Sequence, residues 1–142
     1  MTDPNGGATE YTYDAAHGGV LTETGPAVDN IRPQTRYTYV QRQAWVAGSG
    51  GGYAATGEYV WLLATKSTCR SGAASGAGCA LGAGDEIRTV YEYGPDAGPS
   101  NLQLRGVVVD ATGASQRTCY TYDWKGNRIS ETKPRAGLGT CS

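Results

Sequence analysis

The chain has 142 residues, room for one domain with a core of its own and too few for two comfortable ones. Its net charge of −1 is not the clearly basic balance usual in nucleic-acid binders, and no stretch approaches the roughly 20 apolar residues of a membrane helix. Apolar residues make up 39%, Phe is absent, and 10 Tyr and 22 Gly stand in a Thr-rich background. These types favour pleated strands and tight turns, so the composition predicts an all-β fold.

In chain order, four units recur, each opened by two Tyr around one polar residue. The first spans roughly 8–31. Tyr11-Thr12-Tyr13-Asp14 forms a strand and enters a turn at Ala15-Ala16-His17-Gly18-Gly19. Val20 to Thr24 returns, and Gly25-Pro26 ends the unit. The second, roughly 32–71, carries Tyr37-Thr38-Tyr39 in a long strand from 36 to about 47. A Gly-rich insertion at 48–57 follows, then a return strand over 59–65. A second insertion, 71–84, separates it from the third unit at 86–114. There Tyr91-Glu92-Tyr93 turns through Gly94 to Pro99 and returns over 102–110. The fourth, 115–138, is the cleanest: Tyr120-Thr121-Tyr122-Asp123, a turn at Trp124-Lys125-Gly126-Asn127, and a return over 128–132 before Lys133-Pro134.

Alternation puts both rings of each pair on one face of a strand. The expectation is consecutive antiparallel hairpins forming a twisted sheet that buries this shared face. Its candidate core is the Tyr pairs with Val20, Ile31, Val60, Leu62, Leu104, Val107, Val109 and Ile129, and Trp45 and Trp61 join it. An open sheet leaves two edges that invite further strands.

No reaction centre is legible. His17, the sole histidine, sits in a turn where a polar residue is expected, and neither a Ser–His nor a Cys–His pair has another base to use. Asp14 and Asp123 stand at equivalent repeat positions, where a carboxylate starts a turn by accepting nearby backbone N–H groups. The glycines at 48–52 lack the Lys-Ser/Thr of a phosphate loop. The expectation is a chain that is not an enzyme, with no cofactor and no metal. Cys69, Cys79, Cys119 and Cys141 are disulfide candidates, Cys69–Cys79 across a small-residue loop and Cys119–Cys141 across one hairpin; disulfides imply an oxidising compartment. The candidates for ligand or partner contact are Trp124, Tyr122, Tyr13 and Trp61, because aromatic faces stack on sugar rings and their polar edges serve interfaces.

The units resemble RHS repeats, also called YD repeats. Tyr120-Thr121-Tyr122-Asp123-Trp124-Lys125-Gly126-Asn127-Arg128 carries the pattern almost position for position, and Tyr11 to Leu21 carries it well. Val40 and Gly94 stand where the second and third units lose the Asp. The resemblance implies a structural segment of a hairpin shell that encloses, displays or supports another domain. It implies neighbouring RHS repeats or a C-terminal effector as partners, and an extracellular or cell-surface place. The closing motif of such shells, Pro-x-x-x-x-Gly leading to Asp-Pro-x-Gly, is not in this sequence, so self-cleavage and effector activity are not implied. Residues 1–20 lack the charged start and apolar centre of a secretory signal. The alternative reading is a module that binds carbohydrate or a cell-surface protein through Tyr and Trp. Residues 1–31 hold five acids and no Lys or Arg, while 117–142 hold five bases and two acids; this reads first as charges scattered over solvated faces, and second as a polarity suited to head-to-tail neighbours.

Overall fold

A computed structural model of the chain describes residues 7–111, 114–134 and 137–141. Its strands are β1 (Glu10–Tyr13), β2 (Val20–Thr24), β3 (Gln34–Ala47), β4 (Tyr53–Cys69), β5 (Ala74–Ser75), β6 (Gly78–Cys79), β7 (Glu86–Tyr93), β8 (Leu104–Ala111), β9 (Ala114–Tyr122) and β10 (Arg128–Thr132); a 3-10 turn covers Ala83–Asp85. The fold is all-β. Eight strands form one antiparallel sheet in the order β1-β2-β3-β4-β7-β8-β9-β10, with β5 and β6 paired apart. Strands that neighbour in sequence neighbour in space, the outcome of joining hairpins end to end. Contacts divide the chain into two compact units, one of Met1–Thr38, Thr65–Thr89 and Asp110–Ser115, the other of Tyr39–Ala64, Val90–Val109 and Gln116–Ser142.

In the first unit, Tyr11 pairs with Glu23, and Glu23 with Thr35, so these residues and Tyr37 share one face. The Tyr11 and Tyr37 hydroxyls donate to the two Glu23 carboxylate oxygens, at 3.5 and 3.4 Å. On the opposite face, hydroxyl pairs tie neighbouring strands: Thr12 with Thr22 and Thr38 with Thr65, each at 2.7 Å. Burial collects on this second face. There the segment after Cys69 is folded back by the Cys69–Cys79 disulfide, and Ser67, Cys69, Cys79 and Asp85 are buried. Arg36 reaches across from β3. Its Nη2 lies 2.9 Å from Ser67 Oγ and 3.6 Å from a Glu86 carboxylate oxygen on β7, while its Nη1 donates to the Gly78 carbonyl. Ser67 in turn donates to Glu86. The small side chain on the intervening strand lets a cation and an anion two strands apart meet.

The second unit repeats this device. Glu92 on β7 and Arg117 on β9 form an ion pair across β8. The β8 residue beneath them is Gly106, where an added Cβ would lie 2.5 Å from Glu92 Oε2 and 2.9 Å from Cys141 Sγ. The missing side chain leaves room for both the ion pair and the Cys119–Cys141 disulfide. Val108 and Cys119 are buried beside them, and Thr121 bonds Ser130 at 2.5 Å across β9 and β10.

The core therefore differs from the one expected. Among the described residues, the buried apolar side chains are Cys69, Cys79, Val108 and Cys119, and no large side chain is wholly enclosed. The Tyr pairs do not form a sealed face: Tyr11 is exposed, Tyr13 is 60% exposed, and the other six rings are half-buried. Ile31, Val60, Trp61 and Ile129 are exposed rather than buried. On β8 the buried residues are Gly106 and Val108, and Val107 and Val109 are half-buried, because the covered face is the one carrying Gly106 and the disulfide. The physical reason is coverage. A single sheet buries only the face that something lies over, and here the covering pieces are disulfide-tied segments on the Thr/Cys face. The second insertion is not bare loop, since β5 and β6 lie within it and the 3-10 turn begins in it, and β4 begins at Tyr53, inside the first.

Candidate functional site

Within the second unit, three chain segments line an open cavity of about 240 Å³. The β3–β4 hairpin supplies Trp45 and Tyr53, the loop before β8 supplies residues 99–103, and the β9–β10 turn supplies Trp124, Lys125 and Gly126. Each segment is fixed locally. The first hairpin closes through Gly48 N–H to Gly52 O at 2.8 Å. In the β9–β10 turn, Asp123 Oδ1 accepts from Lys125 N–H at 2.9 Å and from Asn127 N–H at 2.8 Å, and its Oδ2 accepts from Asn127 Nδ2 at 2.9 Å. The Asn127 side-chain bond, then the backbone bonds, hold the Asp123 carboxyl below the usual carboxylate range. Trp124 thereby stands at the tip of a hydrogen-bonded turn, 82% exposed, with Lys125 Nζ 5.1 Å from its ring centre.

The loop before β8 is anchored from inside. Asn101 is buried and donates to Gln43 O at 2.7 Å; Gly94 N–H donates to Gln103 O at 2.9 Å; Gln103 N–H donates to Ser100 O at 3.0 Å. Ser100 holds φ 59, a left-handed backbone that side chains other than those of Gly and Asn rarely adopt. Gln103 donates its Nε2 to Gly126 O at 2.9 Å, joining loop to turn. That contact requires glycine: Gly126 has φ 86, and a Cβ there would lie 2.7 Å from Gln103 Nε2. Gln103 Oε1, by contrast, is buried and has no hydrogen-bond partner.

Of the candidate contact residues, Trp124 lines this cavity. Tyr122 does not; its hydroxyl donates to Leu104 O at 2.5 Å, a bond within the sheet. Trp61 is exposed on β4 away from the lining, and Tyr13 belongs to the first unit, its ring centre 6.4 Å from that of Tyr11. Trp45, read from sequence as core, is a wall of the cavity instead. Tyr53 and Gln103 were not singled out. Nothing in the Tyr-x-Tyr pattern marks them, because they stand at hairpin ends that the repeat leaves open.

The other clusters are engaged. Asp14 Oδ1 accepts from Ala16 and His17 N–H groups at 2.8 and 3.2 Å, and His17 Nδ1 accepts from Gly19 N–H at 3.1 Å, so both side chains order their turn. Cys69, Cys79 and Asp85 converge at metal-ligand spacing, but the sulfurs are bonded to each other, and Arg36 Nη2 lies 3.7 and 3.6 Å from them. A disulfide offers no thiolate, and the guanidinium opposes a cation. Asp85 accepts from Ser71 N–H at 2.8 Å and Ser71 Oγ at 2.5 Å, bonds that lower its pKa. A second cavity of the same unit, about 390 Å³, is lined by Arg105, Arg117 and Glu92; Arg117 and Glu92 are paired with each other, and Arg105 adds a second cation.

No protein-family model matches the chain, and comparison with curated proteins and with solved structures finds no match. No helix among the described residues is long and apolar enough to cross a membrane.

Proposed function

We propose that this chain is a structural wall segment of the RHS type: hairpins laid side by side that enclose, display or support another part of a larger protein at the cell surface or outside the cell. The observation that carries the reading is the strand order. Eight strands lie side by side in chain order with β1 and β10 at the ends, and very few side chains are buried among the described residues. A free-standing sheet of this size normally covers one face with a second layer. A wall piece relies on its neighbours instead, through paired edges and whatever lies against its faces. The two disulfides fit an oxidising compartment, as that location requires.

Edge pairing is the testable part. β10 is a terminal strand, and Ile129 on it is 65% exposed. Sedimentation velocity of the purified chain is expected to show association that grows with concentration, and Ile129→Lys is expected to suppress it, since a charge on an edge strand blocks strand addition. A chain that stays monomeric throughout would count against a wall that extends through its edges.

A further inference from the structure

We infer that the outer edge of β10 receives β1 of a second copy of this chain, in the register that β3 takes on β2, so that copies add head to tail. This rests on the wall reading and deepens it by naming which edges meet and how. Two hairpins match residue for residue. In β1–β2, Tyr11 stands opposite Glu23, Thr12 opposite Thr22 and Tyr13 opposite Val20. In β9–β10, Tyr120 stands opposite Glu131, Thr121 opposite Ser130 and Tyr122 opposite Arg128. Both pairings shift register at the same place, beside the hydroxyl bond Thr12–Thr22 in one and Thr121–Ser130 in the other. Thr22-Glu23-Thr24 and Ser130-Glu131-Thr132 are therefore equivalent edges. The first shows what lies against it. β3 pairs there through Thr22–Arg36, Glu23–Thr35 and Thr24–Gln34, and Tyr37 donates to Glu23 from the diagonal position at 3.4 Å.

β10 ends the sheet, so among the described strands none lies on its outer edge. The strand that fits stands at the other end. The β3 segment seated on β2 is Thr35-Arg36-Tyr37-Thr38-Tyr39, and β1 carries the same string as Thr9-Glu10-Tyr11-Thr12-Tyr13. Set on β10 as β3 is set on β2, Glu10 stands opposite Ser130, and Tyr11 reaches Glu131 from the diagonal position. Tyr11 then lies between Glu23 of its own hairpin, where its present bond is 3.5 Å, and Glu131 of the neighbour. Its single proton turns to Glu131, because Tyr37 still serves Glu23. The charges agree. The two strings differ at one position, Arg36 against Glu10. Where β2 has Val20 and then Gly25, β10 has Arg128 and then Lys133, whose side chains are 55% and 80% exposed. The acid is on the strand that meets the basic edge. A second β10 laid on β10 would bring no tyrosine to Glu131. Contact between two different edges of identical chains is heterologous, so it leaves a free edge at each end for further copies.

The test is mild oxidation of mixed full chains, one carrying Glu10→Cys and the other Ser130→Cys, with the native disulfides kept intact. Residues directly opposite on neighbouring strands lie within disulfide reach, and a slip of two residues takes them out of it. The mixture is expected to form a covalent dimer about ten-fold faster than either variant alone, or than Ser130→Cys mixed with Ala8→Cys. Mass spectrometry of the digest is expected to place the new bond between positions 10 and 130. Equal or faster linkage of Ser130→Cys to itself would overturn the inference in favour of a two-fold contact. Equal linkage to position 8 would overturn the register. Absence of linkage in every arm would overturn the inference as well, and sedimentation of the parent then separates the two readings. A parent that associates leaves the wall reading standing; a parent that stays monomeric removes both.

Discussion

At the scale of single residues, the chain is ordered by side chains that replace missing core contacts with hydrogen bonds. Asp123 and Asp14 each gather backbone N–H groups of a turn, and Asp85 ties the 3-10 turn to Ser71. Hydrogen bonds to the charged form lower the pKa values of Asp123 and Asp85. The consequence has a definite sign. Above the ordinary carboxylate range both groups are ionised in the folded and unfolded chain, and their stabilisation is fully present. As pH falls below about 4, the unfolded chain takes up protons first, and the contribution fades until the folded groups protonate as well. Denaturant midpoints are therefore expected to fall from pH 5 downward, and Asp123→Asn is expected to flatten part of that slope. Carboxyl resonances of Asp85 and Asp123 that titrate at ordinary values would contradict it.

At the scale of elements, hairpins need ties because each pair of strands is marginal alone. Hydroxyl pairs link adjacent strands at the centre of three Tyr-Thr-Tyr motifs, through Thr12, Thr38 and Thr121. Disulfides then hold covering segments against one face. The loops they close have sequence separations of 10 and 22. Chain entropy assigns each roughly 3 kcal/mol, with the longer loop ahead by about 0.7 kcal/mol. Replacing each pair by serine and measuring urea denaturation is expected to show both losses, the larger for Cys119 and Cys141; equal midpoints in parent and variants would refute this. Hairpin positions were legible in the sequence because Tyr-x-Tyr, Asp and Gly act locally, through alternation and turn geometry. The buried face was not. Alternation says which residues share a face but not which face is covered, and that is decided by the segment folding back after Cys69 and by Cys141, tied to Cys119 over Gly106. The cavity was legible only through Trp124. Trp45, Tyr53 and Gln103 reach it through hairpin length and loop anchoring, which no periodicity records.

At the scale of the whole molecule, little apolar surface is enclosed among the described residues. Val28, Tyr59, Val60, Trp61 and Ile129 are all exposed, and β1 and β10 are the terminal strands. Arrays of this kind are stabilised by what each unit gains from the next, so stability rises with the number of neighbours. A self-sufficient domain gains nothing from one. The most direct measurement is denaturation of a tandem in which two copies of the full chain are joined in series by a flexible linker, beside the single chain under non-reducing conditions. The account predicts a higher denaturant midpoint for the tandem, with the gain removed by Ile129→Lys in the first copy. Two copies that unfold at the midpoint of one would contradict it.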